Sequence, residues 1–149
     1  MNLYGTLIVL HLLGASIWVG GHLVLACSVL PKALRTRDAG AVRRYEEGYE
    51  RVGIPALIVQ VITGIWLSHI KLPDPSLWFD FSNPVGRLIG IKLILLAATV
   101  GLAIDARFRI IPKLSDENLV SLAWHIVPVT LVAVLFLIVG ASFRIGWMY

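Results

Sequence analysis

The sequence predicts an all-α integral membrane protein, an antiparallel up-down bundle of four helices, from its composition and its apolar segments. Hydrophobic residues make up 58% of the 149 positions and charged residues 15%, whereas charged residues reach roughly a quarter of a soluble domain. Four apolar stretches cover about residues 3–30, 52–70, 88–104 and 119–143. Each is close to the ~20 residues that a helix needs to cross a bilayer, so we predict a single transmembrane domain over residues 1–149.

The distribution of basic residues predicts the orientation of this bundle. The connection after the first span carries Lys32, Arg35, Arg37, Arg43, Arg44 and Arg51, and the connection after the third carries Arg107, Arg109 and Lys113. The opposite side carries Lys71, Arg87 and Arg144. By the positive-inside rule both termini lie outside (N-out/C-out), as expected of a multi-pass protein of the bacterial inner membrane with periplasmic termini. The net charge of +4 is then a topology signal in a lipid bilayer and gives no case for nucleic acid as a partner.

The connections between the spans have distinct patterns. Residues 38–51 predict an amphipathic cytoplasmic helix that runs into the second span, with Asp38 as its N-cap. Residues 71–86 form the larger external loop, in which prolines exclude a long helix. Cys27 is the single cysteine, which excludes an intrachain disulfide and any multi-cysteine metal site.

Four histidines lie within the predicted spans, two of them at the ends of the segment "HLLGASIWVGGH" (11–22). At about 100° and ~1.5 Å per residue, His11 and His22 share one helix face at two depths, roughly 16 Å apart. Because successive helices alternate in direction, His69 falls at the depth of His11, and His125 falls at the depth of His22. We therefore predict an outer pair, His11 with His69, and an inner pair, His22 with His125.

Paired imidazoles indicate a cofactor. Two opposed neutral imidazoles suit the axial positions of a low-spin haem iron. Copper(I) prefers sulfur ligands, which are limited here to Met1, Cys27 and Met148, and zinc sites need three or four protein ligands. We therefore expect haem b, with one or two haems per chain and two favoured by the pairs. A single histidine in a span can also simply hydrogen-bond to a neighbouring helix, and other ligand pairings, such as His11 with His125, stay open.

Three cations and several glycines fit the same hypothesis. Lys92 lies inside the third span with no acidic residue in any span to pair with, so a haem propionate is a candidate counter-charge; snorkelling toward the interface is the alternative. Arg87 and Arg144, at the outer ends of their helices, are candidates for propionates or for lipid headgroups. The glycines near these depths either make room for a porphyrin or allow close helix packing; they are Gly14, Gly20, Gly21, Gly64 and Gly90.

Two segments carry a family resemblance. "LHLLGASIWVGGHLVLACSVLPKAL" (10–34) resembles the first helix of the copper-resistance protein D (CopD) family, and "GIKLILLAATVGLAIDARFRIIPKL" (90–114) resembles a later helix of that family. The resemblance implies a copper-linked membrane protein. More distantly, the layout is similar to HemJ, the membrane protoporphyrinogen oxidase family, which combines a histidine and a lysine on neighbouring helices of a small haem-holding bundle. His11 and Lys92 are the positions that this similarity carries over.

The residues themselves predict a cytochrome-like b-type haem protein that transfers electrons within or across the membrane, with a membrane quinol as candidate donor. Two alternatives come from the resemblance: a CopD-like copper transport or resistance protein, and a HemJ-like protoporphyrinogen oxidase, which would make the chain a haem-dependent oxidoreductase. A structural subunit without a cofactor is a further possibility. A homo-oligomer also stays open, since haem can bind at a subunit boundary.

Overall fold

The computed structural model describes residues 2–148 and confirms the predicted all-α membrane bundle. Four helical segments are long and apolar enough to cross a membrane: Leu3–Thr36, Ala39–Lys71, Pro84–Lys113 and Leu119–Ile145. Within the described residues the chain contains no β-strand. Helices satisfy every backbone group inside the segment that crosses the bilayer, which an open strand cannot do.

The first segment is one continuous helical segment. It consists of α1 (Leu3–Val24), a π-helical turn (Leu25–Val29) and α2 (Leu30–Thr36), and it extends beyond the predicted end of the span near residue 30. The side chain of Asn2 caps α1, and Arg37 ends α2 in the left-handed backbone conformation, with φ 52°.

The second segment, α3 (Ala39–Lys71), joins the predicted amphipathic helix at 38–51 and the predicted span at 52–70 into one helix. Asp38 is its N-cap, as predicted, because its carboxylate accepts the Ala41 amide at 3.0 Å. The basic half of α3 therefore continues directly into the membrane span, with Pro55 inside the helix.

The remaining elements alternate between long helices and short irregular turns. A 3₁₀ helix (Pro75–Phe79) precedes α4 (Pro84–Asp105), which continues into a π-helical turn (Ala106–Ile110) and a 3₁₀ turn (Ile111–Lys113). The last helix, α5, covers Leu119–Ile145.

The 72–83 loop is held by its own hydrogen bonds. Trp78 donates its indole N–H to the Leu72 carbonyl at 2.8 Å, and Asn83 caps α4. Hydrogen bonds from the Ser82 hydroxyl and amide lower the pKa of the Asp80 carboxyl below its usual value. The loop thus packs against the start of α4 and contains no long helix, as its prolines predict.

The packing places α1 at the centre of the bundle. It packs chiefly against α3 and also against α5, while α4 packs against α5. Trp18, Val19 and Ala133 form a buried cluster midway along the bundle. A larger cluster lies at the end that holds the basic connections, and its members include Leu25, Leu30, Val42, Leu119, Leu122 and Ile126. We call this end the basic end and the opposite one, which carries the chain termini, the terminal end.

Candidate functional site

Lys92 and His11 meet inside the bundle. Lys92 Nζ lies 3.4 Å from His11 Nε2. On the other side of the imidazole, Nδ1 lies 3.0 Å from the Gln60 carbonyl oxygen and 3.0 Å from Thr63 Oγ1. Because a backbone carbonyl can only accept, Nδ1 carries the ring proton and Nε2 presents its lone pair to the ammonium. We call His11, Gln60, Thr63 and Lys92 the His11–Lys92 centre.

Small residues and one aromatic ring enclose this centre. A Cβ at Gly64 would lie 3.0 Å from His11 Cε1, and a Cβ at Gly140 would lie 3.4 Å from Lys92 Nζ. The ammonium also lies 6.0 Å from the Phe143 ring centroid, at the outer limit of a cation–π contact. Gly64, singled out from the sequence, therefore makes room for the histidine itself.

The other residues predicted for the outer haem are exposed or hydrogen-bonded elsewhere. His69 is exposed near the end of α3. Arg87 donates to the Met148 carbonyl oxygen at 2.6 Å, and Arg144 is exposed. Ligation of iron by His11 with His69, and propionate binding by Lys92, Arg87 and Arg144, stay predictions.

His22 lies in an aromatic cluster nearer the basic end. Its Nδ1 donates to the Trp18 carbonyl at 2.8 Å, and its ring contacts the rings of Trp18 and Tyr49 at centroid distances of 4.5 and 5.7 Å. Tyr49 stacks on Tyr45 at 5.9 Å, as the i,i+4 spacing predicts. The Tyr45 hydroxyl donates to the Gly21 carbonyl at 2.7 Å. Tyr45 and Tyr49 of α3 therefore pack against the segment of α1 that carries His22 and hold it in place.

His125 faces α4, and its hydrogen bond does not go to His22. Its Nε2 donates to the Leu102 carbonyl at 2.8 Å, and its Nδ1 lies 3.7 Å from Asp105 Oδ2. The ring of His22 instead contacts side chains of α1 and α3, and the His22 carbonyl lies 3.4 Å from Thr130 Oγ1, five residues along α5 from His125. Iron ligation by His22 with His125 stays a prediction, and the hydrogen bonds of the two rings connect them to different helices.

Sequence reasoning missed the polar residues that line the bundle between these histidines. The Gln60 backbone carbonyl and the Thr63 hydroxyl accept from His11 Nδ1, the side chains of both residues are buried, and Thr99 and Thr130 are buried on α4 and α5. Two buried oxygens, Gln60 Oε1 and Thr99 Oγ1, have no hydrogen-bond partner. The available signal was the presence of single polar residues in otherwise apolar spans, which by default suggests function.

The histidines offer single nitrogens and do not form a multidentate cage. Within residues 2–148, no three side chains of His, Cys, Asp or Glu converge in a metal-binding arrangement. His11, His22 and His125 each donate one ring N–H to a backbone carbonyl, which leaves the other nitrogen as a potential ligand. Metal-ligating histidines commonly have this second hydrogen bond, because it fixes the tautomer and the ring orientation.

Comparison with known proteins gives one match. The family model described as Copper resistance protein D matches residues 39–143, from the start of α3 to near the end of α5. No curated protein and no solved structure matches the chain.

Proposed function

Because this chain belongs to the copper resistance protein D family, we propose that it is a copper-handling membrane protein that passes copper ions along its helix bundle. The observation that carries the proposal is the state of the two histidines of α1. His11 and His22 each donate a ring N–H to a backbone carbonyl, so the lone pair of the other ring nitrogen can bind a metal; at His11 the metal would displace Lys92. The two rings lie on one helix, roughly 16 Å apart along its axis.

The available ligands suit the passage of copper ions through the bundle better than their storage in it. A neutral imidazole is a good ligand for copper, but tight copper(I) sites use several soft sulfur ligands. Cys27 is exposed on the first helical segment, and each histidine supplies a single nitrogen. An ion pathway requires sites that are favourable enough to enter and weak enough to leave.

Polar oxygens support a path between the two histidines. Gly14 lies about one helical turn from His11 toward the basic end, and Gln60 packs against it. The Oε1 atom of Gln60 has no hydrogen-bond partner. Thr99 lies seven residues beyond Lys92 in the same direction, with its hydroxyl buried and unpartnered. A cation that leaves His11 would meet these oxygens before it reached His22.

We place the basic end in the cytoplasm of a bacterial inner membrane, following the positive-inside rule. Copper would then move between a periplasmic His11–Lys92 centre and a cytoplasmic His22.

A cysteine introduced in place of exposed Ser76, in a Cys27→Ser background, should react with a membrane-impermeant maleimide added outside cells. A cysteine in place of exposed Glu117 should react only after permeabilisation; the reverse pattern would invert this topology.

Copper binding by the purified protein tests the proposal. We expect the detergent-solubilised chain, prepared without a polyhistidine tag, to take copper(I) from a chromogenic chelator under anaerobic conditions. His11→Ala and His22→Ala should each weaken binding at one site by at least tenfold, because each removes the imidazole that supplies that site's nitrogen ligand. His69→Ala is the matched control, since this histidine is exposed, and should stay within twofold of wild type. Equal binding by all four proteins would contradict the proposal.

Haem is the second candidate, and the contact between His11 and Lys92 favours it. This is the histidine and lysine pair that the HemJ similarity carries over. His11 Nε2 would hold the iron, and Lys92 would pair with a propionate once it has left Nε2; when bound, haem supplies one-electron redox chemistry. The optical spectrum of the same preparation, oxidised and dithionite-reduced, separates the candidates. A Soret band that His11→Ala abolishes supports haem, whereas copper handling predicts no Soret band.

A further inference from the structure

The basic end holds an imidazole and a carboxylate that face each other across two helices. Asp105 is the last residue of α4, and His125 lies in the second turn of α5. His125 Nδ1 lies 3.7 Å from Asp105 Oδ2, and His125 Nε2 donates to the Leu102 carbonyl at 2.8 Å. The proton of a neutral imidazole is therefore on Nε2, and the Nδ1 lone pair faces a carboxylate oxygen.

Two acceptors that face each other need a positive group between them. A distance of 3.7 Å is too long for a direct hydrogen bond, and two lone pairs repel. A transition-metal ion lying about 2.0–2.2 Å from each ligand would bridge atoms at this separation with an open ligand–metal–ligand angle. The alternative is a proton on Nδ1, which converts the pair into a long ion pair.

We propose that His125 and Asp105 form a binding site for a divalent transition-metal ion of the zinc or copper(II) class. An imidazole nitrogen and a carboxylate oxygen are ligands that such ions accept, whereas copper(I) discriminates against the carboxylate. Water would complete the coordination at the basic end, because 33% of the Asp105 side chain and 11% of the His125 side chain are exposed. The proposal is independent of copper passage through His11 and His22.

The surrounding charges leave one carboxylate oxygen for the metal. Arg109 Nη1 binds Asp105 Oδ1 at 2.9 Å, and the neighbouring Arg107 is paired with Glu50 at 2.9 Å. Oδ2 therefore faces His125 without a competing cation. Asp105 also directly precedes the π-helical turn Ala106–Ile110, a local widening of the helix that is frequent at functional sites.

Zinc binding by the full-length protein tests the site. We expect the metal-free, untagged protein in detergent to bind one Zn²⁺ in competition with a fluorescent zinc indicator. Asp105→Asn and His125→Gln should each weaken this binding at least tenfold, because each removes one of two protein ligands. His69→Gln and Glu117→Gln change an exposed histidine and an exposed acid elsewhere and should leave the affinity within twofold of wild type.

The Arg109→Gln variant should change the zinc affinity in the opposite direction. Loss of the exposed guanidinium removes a cation from the carboxylate, so zinc should bind two- to fivefold more tightly, and this surface change leaves the packing intact. His11→Ala should have no effect on zinc affinity, which separates this site from the copper proposal. The inference is overturned if wild type does not bind zinc, or if Asp105→Asn, His125→Gln and Arg109→Gln all bind it as wild type does.

Discussion

Lys92 is a cation inside an apolar bundle, and its hydrogen-bond partner is an imidazole. An ammonium within the membrane is costly unless its charge or its protons are satisfied. No acidic residue lies in the apolar spans, and the sequence correctly indicates this anomaly; Lys92 Nζ lies 3.4 Å from His11 Nε2. The lysine therefore occupies the lone pair that we assign to copper, and the two cations compete for one nitrogen.

This competition predicts the effect of Lys92→Leu. Replacing the ammonium with an apolar side chain of similar volume frees His11 Nε2 and removes a repulsive charge next to it. Copper(I) affinity at the His11 site should rise at least tenfold in the chelator competition assay. Lys71→Leu, which removes an exposed lysine at the end of α3, is the control. Weaker copper binding by Lys92→Leu would show that the lysine assists the metal.

At the scale of elements, the contact between α1 and α3 positions His11. A Cβ at Gly14 would lie 2.9 Å from the Ala56 carbonyl oxygen and 3.2 Å from Gln60 Cβ, so the helices approach closely where His11 reaches the backbone of α3. By contrast, a Cβ at Gly20 would have no neighbour within 4 Å. The two glycines of one helix thus differ in what they permit.

That difference predicts the stability of two alanine variants. Gly14→Ala should lower the free energy of unfolding by about 1–3 kcal/mol, because the new methyl group overlaps backbone that cannot rotate away. Gly20→Ala should be neutral or slightly stabilising, since alanine is the better helix former in open space. Unfolding by SDS titration, followed by circular dichroism, measures both variants. Equal effects of the two substitutions would show that close packing at Gly14 does not determine the result.

The sequence predicts the elements whose formation depends on the length of an apolar segment. It does not predict the elements that depend on local backbone geometry. Four runs of sufficient length predict four spans, and Asp38 predicts the start of α3. The two π-helical turns, Leu25–Val29 and Ala106–Ile110, have no sequence pattern that distinguishes them from α-helix. The apolar stretch ends at residue 104, so the sequence pattern does not place Asp105 on the helix, and it gives no indication that Asp105 approaches His125.

At the scale of the whole molecule, the order and direction of the spans were predictable, but the partners of the histidines were not. The partner of a side chain depends on how its helix is turned about its axis and shifted along it, and the His22 carbonyl meets Thr130 of α5. Thus the ring of His22 contacts Tyr49 of α3, while His125 reaches Leu102 and Asp105 of α4. Lys92, expected to need a counter-charge, instead meets the imidazole of the central helix.

The bundle as a whole connects the terminal end to the basic end through α1. His11 and His22 lie on this central helix, which packs against α3 and α5, and Gln60 and Thr99 each have a buried oxygen without a hydrogen-bond partner. We regard the two histidines as successive weak binding sites for copper, each with a single nitrogen ligand.

Copper(I) flux into liposomes that contain the purified protein and a trapped copper(I) indicator tests this claim most directly. We predict saturable flux for wild type and for His69→Ala, and a decrease of at least tenfold for His11→Ala. Wild-type flux equal to that of protein-free liposomes, or undiminished flux in His11→Ala, would contradict copper passage through the bundle.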